Sequence, residues 1–306
     1  MELTKIDKEL LSEIAGFHSI PEGAVNIRKN GEGIYRTSSS EIEIVPKKDK
    51  PGIDIYIKPG IQNKSVHIPV IISKAGITDL VYNDFYVGEN SDCTIIAGCG
   101  IHNDGATQST HNGIHTFHVG KNAKVKYVEK HLGLGTGAEK ILNPTTHVFL
   151  EKNSTLEMET VQLGGVSSAI RKTSALLGDN AHLVISEKIK TTENQSAITD
   201  FEVKLAGKNS SAKIVSRSVA GDTSYQEFNS NLIGENECFG HVECDGLLSG
   251  EARIKSIPKI DAKNVNANLV HEAQIGKIAG DQLIKLMSLG LSKAEAEKLI
   301  INAYLK

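Results

Sequence analysis

Several residue types that define common protein classes are scarce or missing in this sequence. Its 306 residues contain no tryptophan, and only 5% of them are aromatic. A carbohydrate-binding groove relies on aromatic side chains and carboxylates, so this composition disfavours a carbohydrate-binding β-helix protein, which we keep as an alternative. The chain has only four cysteines, and its first residues, Met-Glu-Leu-Thr-Lys, lack an apolar signal core. We therefore expect a cytoplasmic protein with free thiols and no disulfide framework.

The motifs of common hydrolases and nucleotide-binding proteins are also missing. No segment matches G-x-x-x-x-G-K-[ST], and the run Gly133-Leu-Gly135-Thr-Gly137 lacks the Lys-Ser/Thr ending of a phosphate-binding loop. The chain has neither G-x-S-x-G nor H-E-x-x-H. It has no apolar run of about 20 residues for a membrane helix, and its net charge of −3 gives no support for nucleic-acid binding. We expect a protein that is not an enzyme, so that any ATP hydrolysis is carried out by a partner.

A repeat of about 30 residues dominates the middle of the chain. An asparagine preceded by Gly-x or Glu-x begins each unit, at steps of 32, 31, 27 and 29 residues: Asn90, Asn122, Asn153, Asn180 and Asn209. Asparagine tolerates the left-handed backbone conformation of a tight turn. After each asparagine, apolar and polar residues alternate as they do in half-buried strands. Stacked units of this size without intervening helices predict a mainly β protein with a β-helix (solenoid-like) core.

Two shorter patterns precede the repeat. Residues 4–16 predict a short helix, with Thr4 as its N-cap, Asp7 three positions later and Gly16 at its end. From Glu41 onward, apolar residues recur at every second position. That period predicts strands before the first repeat unit.

The last thirty residues return to helical periodicity. A helix is predicted from Ile275 to Met287, with Gly290 as its C-cap glycine. Ser292 and Glu295 form a capping box for a final helix. Its apolar residues fall on one stripe: Ala296, Leu299, Ile300, Ala303 and Tyr304.

These patterns divide the chain into three parts. Residues 1–40 form an N-terminal helical or extended segment, and residues 41–270 form the β-helix core. Residues 271–306 form a C-terminal helical segment. One long core is a simpler interpretation than two domains, because no helical periodicity interrupts the repeat.

The densest group of reactive side chains lies between Asn236 and Ala273. It contains two cysteines, two histidines and six carboxylates, and such ligands favour transition metals and iron–sulfur clusters. Cys238 and Cys244 are six residues apart, which places them roughly 20 Å apart in a straight strand. They can share one site only if the chain bends between them, and Gly240 is a candidate corner. Otherwise both are ordinary buried cysteines.

A second polar cluster lies inside the repeat region: Cys93, Cys99, His102, Asp104, His111, His115 and His118. Its spacing differs from a simple zinc site, since C-x₂-C is absent and His115 and His118 would face opposite sides of a strand. One interpretation is a Gly/Asn-rich surface loop from Gly98 to Gly113 with solvated histidines. The others are an auxiliary ligand set or a channel for sulfur, with Cys99 and His102 as the pair to watch. A mononuclear metal-binding enzyme built on the histidines is a further alternative.

The residues of the first cluster resemble a known family. The chain reads Gly240-His241-Val-Glu243-Cys244-Asp245-Gly-Leu-Leu, then Ile257-Pro258, His271-Glu272-Ala273, Lys277-Ile278, Gln282-Leu283, Gly290-Leu291-Ser292 and Glu295-Ala296. This ordered string is similar to the C-terminal signature of the SufB/SufD family, whose members are scaffolds for iron–sulfur cluster assembly. The resemblance is close over residues 236–306 and looser before them. It implies a β-helix core with a helical C-terminus, as the repeat does independently.

The resemblance also implies a site. Cys244 is the first candidate as cluster ligand or sulfur acceptor, and His271 and Glu272 complete the expected metal-binding set. The other candidates are thiols, imidazoles and carboxylates near it or in the second cluster: Cys238, Glu243, Asp245, Cys99, His102 and His241. With so few thiolates the cluster would be transient, and a [4Fe–4S] type is favoured.

Partners follow from the same resemblance. The family's ATPase subunit, SufC, would dock on the C-terminal helical segment. Sulfur would come from a cysteine desulfurase or another donor, and the finished cluster would pass to apo iron–sulfur recipient proteins. The chain is shorter than typical SufB and carries Cys244 together with His271 and Glu272, which the SufB–SufD heterocomplex divides between unlike subunits. We therefore expect a homodimer in place of the unlike pair.

Overall fold

The computed structural model describes residues 3–305. Three helices and twenty strands make up this part of the chain. The helices are α1 (Lys5–Ala15), α2 (Gly280–Ser288) and α3 (Lys293–Tyr304). The strands are β1 (Ala24–Lys29), β2 (Glu32–Thr37), β3 (Ile42–Pro46), β4 (Gly52–Ile57), β5 (Lys64–Ile72), β6 (Thr78–Val87), β7 (Asp92–His102), β8 (Ser109–Val119), β9 (Lys124–Leu134), β10 (Lys140–Leu142), β11 (Thr145–Leu150), β12 (Thr155–Gln162), β13 (Ser168–Leu177), β14 (His182–Thr191), β15 (Ser196–Leu205), β16 (Ser210–Ala220), β17 (Tyr225–Gly234), β18 (Cys238–Leu248), β19 (Arg253–Ala262) and β20 (Ala267–Lys277).

The strands form two long sheets, and the chain alternates between them. One sheet has the order β2-β1-β5-β7-β9-β12-β14-β16-β18-β20, and the other has the order β19-β17-β15-β13-β10-β8-β6-β4-β3. Strand β11 continues the line of β10 and also pairs with β8 and β13. The repeat strands pair in parallel. The β-helix expected from the repeat, with a short N-terminal helix and C-terminal helices, is confirmed.

The repeat asparagines form the turns of this solenoid. All five have φ between +51° and +58°, as the left-handed turn conformation requires. Their side-chain amides form a ladder along the molecule. Four of the five amides, all except that of Asn90, donate to the carboxamide oxygen of the asparagine one turn earlier, over 2.9–3.2 Å. The one-per-turn spacing in the sequence therefore corresponds to a stack of identical corners.

Each strand directs alternate side chains into the space between the sheets. In β15 the inward row is buried and mostly apolar: Ala197, Thr199, Phe201, Val203 and Leu205. One continuous apolar core runs from Ala24 to Cys244 through all the turns. Period-two alternation therefore decides which side chains enter the interior.

The N-terminal helix covers the outer surface of the first sheet. Its predicted capping box between Thr4 and Asp7 is confirmed, and Gly16 ends it with φ of +69°. Two strand glycines allow its close approach, since a Cβ on Gly100 would lie 2.9 Å from a methyl carbon of Leu10.

The interpretation of residues 98–113 as a surface loop with solvated histidines is wrong. Strand β7 continues to His102 and β8 begins at Ser109, so the connection spans only residues 103–108. His111 and His115 are buried inside the solenoid. Parallel pairing with neighbouring turns explains the difference, because it imposes strand structure on glycine-rich segments that lack a strong strand signal of their own.

The C-terminal helix pair is confirmed, but its predicted start is wrong. Strand β20 continues to Lys277 and pairs with β18 along its whole length, so the helix begins at Gly280 rather than Ile275. Gly290 has φ of +96°, and the capping box of Ser292 and Glu295 is present. Backbone pairing with the neighbouring turn outweighs the local helical pattern.

Candidate functional site

The last turn of the solenoid carries the candidate site. Strands β18 and β20 end the first sheet and β19 ends the second. Within β19 and β20 no residue is fully buried, whereas β18 still alternates between buried and accessible positions. The side chains of this turn are therefore more accessible than the equivalent side chains inside the solenoid.

Cys238 and Cys244 both point into the interior from β18. The strand pairs in unbroken register with β16 and β20 from one cysteine to the other, so the chain does not bend at Gly240. The glycine lies in the inward row, where a Cβ would be 2.8 Å from a methyl carbon of Leu269. The two thiols therefore lie six residues apart on a straight strand, roughly 20 Å from each other, and do not share a site within one chain.

Cys244 and His271 lie on the same face of the sheet. In the parallel register Cys244 is opposite Ala273, and His271 is opposite the buried Val242. His271 thus joins the inward row of β20, two positions before the residue opposite Cys244. Neighbouring strands with this offset place the two Cα atoms about 8 Å apart, a separation that a thiol and an imidazole can bridge through a metal or a sulfur atom.

Glu272 lies on the opposite face of the same sheet. It is opposite Glu243 in the register, and its carboxylate lies 3.5 Å from Nε2 of His241. Asp245 shares this outer row. Burial, the Glu243 carboxylate and the Glu272 carboxylate raise the pKa of Asp245. The predicted candidates thus separate into an inner pair of thiol and imidazole and an outer group of carboxylates with one imidazole.

The protonation states of the inner pair suit different roles. Burial raises the pKa of the Cys244 thiol to about 11, although the Ser256 hydroxyl on β19 opposes part of this shift. The thiol is therefore protonated at neutral pH and must lose its proton when it binds a metal. Burial and the nearby His241 lower the pKa of His271. A neutral imidazole with a free lone pair is the form that binds metals.

Unpartnered polar atoms mark the same turn. Nε2 of His271 and the hydroxyl of Tyr304 are among the atoms of residues 3–305 that are buried without a hydrogen-bond partner, and Nε2 of His241 has only its 3.5 Å contact with Glu272. Burying such atoms unpaired costs about 1–3 kcal/mol each. Tyr304 belongs to α3, and its pKa is raised by burial and by Asp245, so the helix lies close to the outer carboxylates. These atoms are suited to contacts that form only when a ligand or partner is present.

Sequence reasoning missed a buried polar row that ends at Cys244. Parallel register aligns Glu129, Thr160, Glu187, Ser216 and Cys244 on consecutive strands of one sheet. Ser216 donates to Glu187 over 2.9 Å. This row could have been predicted from the sequence. Four of the repeat asparagines are followed seven residues later by a polar residue at an inward position: Glu129, Thr160, Glu187 and Ser216.

Arg171 balances this row from the facing sheet. Its guanidinium lies 2.6 Å from a Glu129 oxygen and 3.5 Å from a Glu187 oxygen, and it donates to Nδ1 of His131. Burial opposes the charge of Glu129, but His131 and Arg171 outweigh burial and hold the pKa of its carboxyl well below the usual range. The row is therefore a charged network inside the solenoid.

The secondary candidates Cys99 and His102 are not brought together. Cys99 points inward from β7, where burial raises the pKa of its thiol well above the ordinary value. His102 is partly exposed on the other face and lies 3.3 Å from Asp104. As expected, His115 and His118 also face opposite sides, since His115 is buried and His118 is exposed.

Comparison with known proteins identifies the family. The sequence model described as "SUF system FeS cluster assembly, SufBD core domain" matches residues 77–304. The chain belongs to the SufBD family. An "Iron-sulfur cluster assembly SufBD family protein" of Archaeoglobus fulgidus is 30% identical over 269 residues, which cover 86% of this chain and 71% of that protein.

Two other archaeal relatives show how far the likeness extends. A SufBD family protein of Pyrococcus horikoshii is 28% identical over 96% of this chain and 84% of its own length. One from Methanothermobacter thermautotrophicus (strain Winter) is 28% identical over 77% of this chain, which spans only 57% of that relative's length. Membership of the SufBD family implies a role in iron–sulfur cluster assembly as a scaffold-type protein.

The candidate residues do not form a ready-made metal site in the described part of the chain. Within residues 3–305, no group of three or more His, Cys, Asp or Glu side chains is arranged to hold a metal ion. The inner pair nevertheless has the right chemistry, because Cys244 offers sulfur and the buried Nε2 of His271 lacks a partner. None of the helices in the described part of the chain is long and apolar enough to cross a membrane.

Proposed function

We propose that this SufBD chain is a scaffold that builds an iron–sulfur cluster at the last turn of its solenoid and passes it to recipient proteins in the cytoplasm. The observation that carries the proposal is the placement of Cys244 and His271 on one inward face of that turn. Family membership supplies the reaction class. Iron and sulfide are substrates here, and a [4Fe–4S] product is the type we favour.

Sulfur transfer would begin at Cys244. A persulfide on a cysteine desulfurase or another donor gives its outer sulfur to the Cys244 sulfur, which forms a new S–S bond. The donor leaves as a thiolate and takes up the proton that Cys244 loses. Because burial keeps the Cys244 thiol protonated at neutral pH, a base must take that proton first, and the neutral His271 on the same face is the group we assign to it.

A homodimer would complete the ligand set. One chain offers a single thiol and a single imidazole on the inner face, and a cluster needs more ligands. Strand β20 ends its sheet in the described part of the chain, so its outer edge presents backbone groups for pairing. A two-fold axis near this edge would bring two copies of Cys244 and His271 together.

An ABC-type ATPase resembling SufC would dock on the C-terminal helices. Large apolar side chains are exposed there, including Ile284, Met287, Leu289 and Leu299. A groove of about 640 Å³ between the helices and the outer face of the last turn is lined by Leu247, Ile278, Leu286 and Tyr304, among others. A partner docked near Tyr304 would change the surroundings of the outer carboxylates, because Tyr304 lies close to Asp245.

Anaerobic reconstitution with ferrous iron and sulfide tests the site. The variant Cys244→Ser should fold normally yet lose most of the iron and acid-labile sulfide that the wild-type protein retains after desalting. Cys93→Ser is the matched control, because Cys93 is also a buried strand cysteine but lies far along the solenoid. Equal iron retention by Cys244→Ser and the wild-type chain would remove Cys244 from the ligand set.

Light scattering tests the assembly. The full chain should elute as a dimer that binds two copies of an ATPase subunit, and a chain lacking residues 290–306 should lose the ATPase. A monomer at working concentration would contradict the dimer. Undiminished ATPase binding by the shortened chain would contradict the docking surface while leaving the cluster site untouched.

A further inference from the structure

Two buried histidines face one small space inside the solenoid, far from Cys244 along the chain. His111 and His115 both point inward from β8, with Gly113 between them. A Cβ atom placed on Gly113 would lie 3.2 Å from Nε2 of His111 and 3.3 Å from Nε2 of His115. The missing side chain therefore leaves room for an atom that contacts both nitrogens. An internal cavity of about 10 Å³, the size of one water molecule or ion, borders these residues.

The other ring nitrogen of each histidine is already occupied. Nδ1 of His111 lies 3.0 Å from a carboxylate oxygen of Asp79. Nδ1 of His115 lies 2.9 Å from the Tyr127 oxygen, and the Tyr127 hydroxyl donates to Glu129 over 2.9 Å. Because Nδ1 of each ring is engaged in this way, Nε2 is the nitrogen of each ring that remains for a ligand, and both Nε2 atoms border the space above Gly113. Carboxylates that orient histidines in this way are typical of metal ligands.

The carboxamide opposite His115 in the register between β6 and β8 has one atom without a partner. Nδ2 of Asn83 lies 3.4 Å from Nε2 of His115, and Oδ1 of Asn83 is buried without a hydrogen-bond partner among residues 3–305. Rotation of this amide by half a turn would direct Oδ1 toward the same nitrogen. Turned this way, the oxygen would join the two ring nitrogens as a third donor for a cation.

We propose that the space above Gly113, called the chamber below, binds one divalent transition-metal ion. Its ligands would be Nε2 of His111, Nε2 of His115 and Oδ1 of Asn83, with water completing the coordination. Imidazole nitrogen suits zinc, iron, nickel and copper, whereas magnesium and calcium prefer oxygen. With only two histidines and one amide, this site differs from the groups of three or more His, Cys, Asp or Glu side chains that are absent from residues 3–305. It does not depend on the cluster chemistry proposed for Cys244.

An interruption of the second sheet offers a route to the chamber. Strands β10 and β11 share one line but are separated by Asn143 and Pro144, and Pro144 lines the cavity. Proline has no N–H for the ladder. The strand ladder is therefore interrupted beside the two histidines, although Asn143 still donates its N–H to the His111 carbonyl over 3.0 Å, and we assign the entry of a small ion to this point.

Titration with Co²⁺ under anaerobic conditions tests the proposal. The Cys244→Ser variant is the background, so that a thiolate of the last turn does not contribute. We expect one equivalent of Co²⁺ with visible ligand-field absorption and no thiolate charge-transfer band. Gly113→Ala and His115→Gln should each weaken binding at least tenfold, because one fills the space and the other removes a ligand. His118→Gln, on the same strand but facing outward, should bind as the background does.

A crystal of the wild-type chain soaked in Co²⁺ keeps the test decisive if a variant misfolds. An anomalous peak above Gly113 would support the site. A water molecule there with no anomalous signal, or Co²⁺ binding unchanged in Gly113→Ala, would overturn the proposal.

Discussion

The interior of the solenoid and its last turn both contain histidines and carboxylates, but the two regions differ in how many of these groups have hydrogen-bond partners. Inside, Glu129 accepts from Tyr127 and Arg171, and Glu187 accepts from Thr199 and Ser216. In the last turn, by contrast, Nε2 of His271 has no partner among the described residues. Most polar groups enclosed by neighbouring turns are paired by them, with Oδ1 of Asn83 and the hydroxyl of Thr160 as exceptions, whereas the last turn lacks a neighbour on one side. The terminal groups are thus available for chemistry, and most interior groups stabilise the fold.

Removing the charge at the centre of the interior network should have the largest effect on stability. We expect Arg171→Met to lower the free energy of unfolding by about 3–5 kcal/mol, because it leaves the Glu129 charge buried and unpaired. Urea denaturation measures the loss. The double variant Arg171→Met/Glu129→Gln should recover much of it. As a control, Lys126→Ala removes an exposed pair with Glu159 and should cost less than about 1 kcal/mol.

The interior should also respond to acid. Burial lowers the pKa of His115 to about 4 in the folded protein, against roughly 6.5 in the unfolded chain. Between these values only the unfolded chain binds the proton, so stability falls as the pH drops from about 6.5 to about 4, by up to about 3 kcal/mol. His115→Gln should flatten this part of the pH profile of urea midpoints. A profile unchanged from the wild type would show that His115 is not the responsible group.

The asparagine ladder should contribute less. Asn153 has φ of +58°, accepts from Asn180 and donates to Asn122. Asn153→Ala should cost about 1–2 kcal/mol, chiefly because alanine resists the left-handed conformation. Asn153→Gly keeps the backbone free and loses only the ladder contacts, so its cost should be smaller. Equal urea midpoints for the two variants would assign the effect to the side chain alone.

The last turn should show the smallest change in stability and a clear change in function. We expect His271→Ala and Glu272→Ala each to shift the free energy of unfolding by less than about 1 kcal/mol, since neither side chain is fully buried. Iron retention after reconstitution should nevertheless fall in His271→Ala more than in Glu272→Ala, because only His271 shares the face of Cys244. Equal losses would indicate that the outer carboxylates also hold the cluster. Unchanged assembly with both residues replaced would exclude them from the site.

Local chemistry in the sequence was enough to predict the solenoid and its helical ends. Five asparagines at steps of about 30 residues mark turns that recur in the structure with one backbone conformation. The capping boxes at Thr4 and Ser292 also appear as predicted. Turns and caps are decided by a few adjacent residues, so their signals survive in the sequence. The roles of Cys244, His271 and Glu272 in the cluster stay predictions.

Only the tertiary structure decided which polar residues lie together. The register between β18 and β20 places His271 beside Cys244 and Glu272 on the other face. The register also continues β20 to Lys277, past the start of the predicted helix. The stacking of turns buries His111 and His115 in a stretch that resembled a loop and joins Glu129 to Arg171, 42 residues later. The length of each turn's connection sets the register between strands, and a shift of one residue would move every side chain of a strand to the opposite face of the sheet. Local sequence therefore predicted the kind of fold, and the alignment of distant turns determined the sites within it.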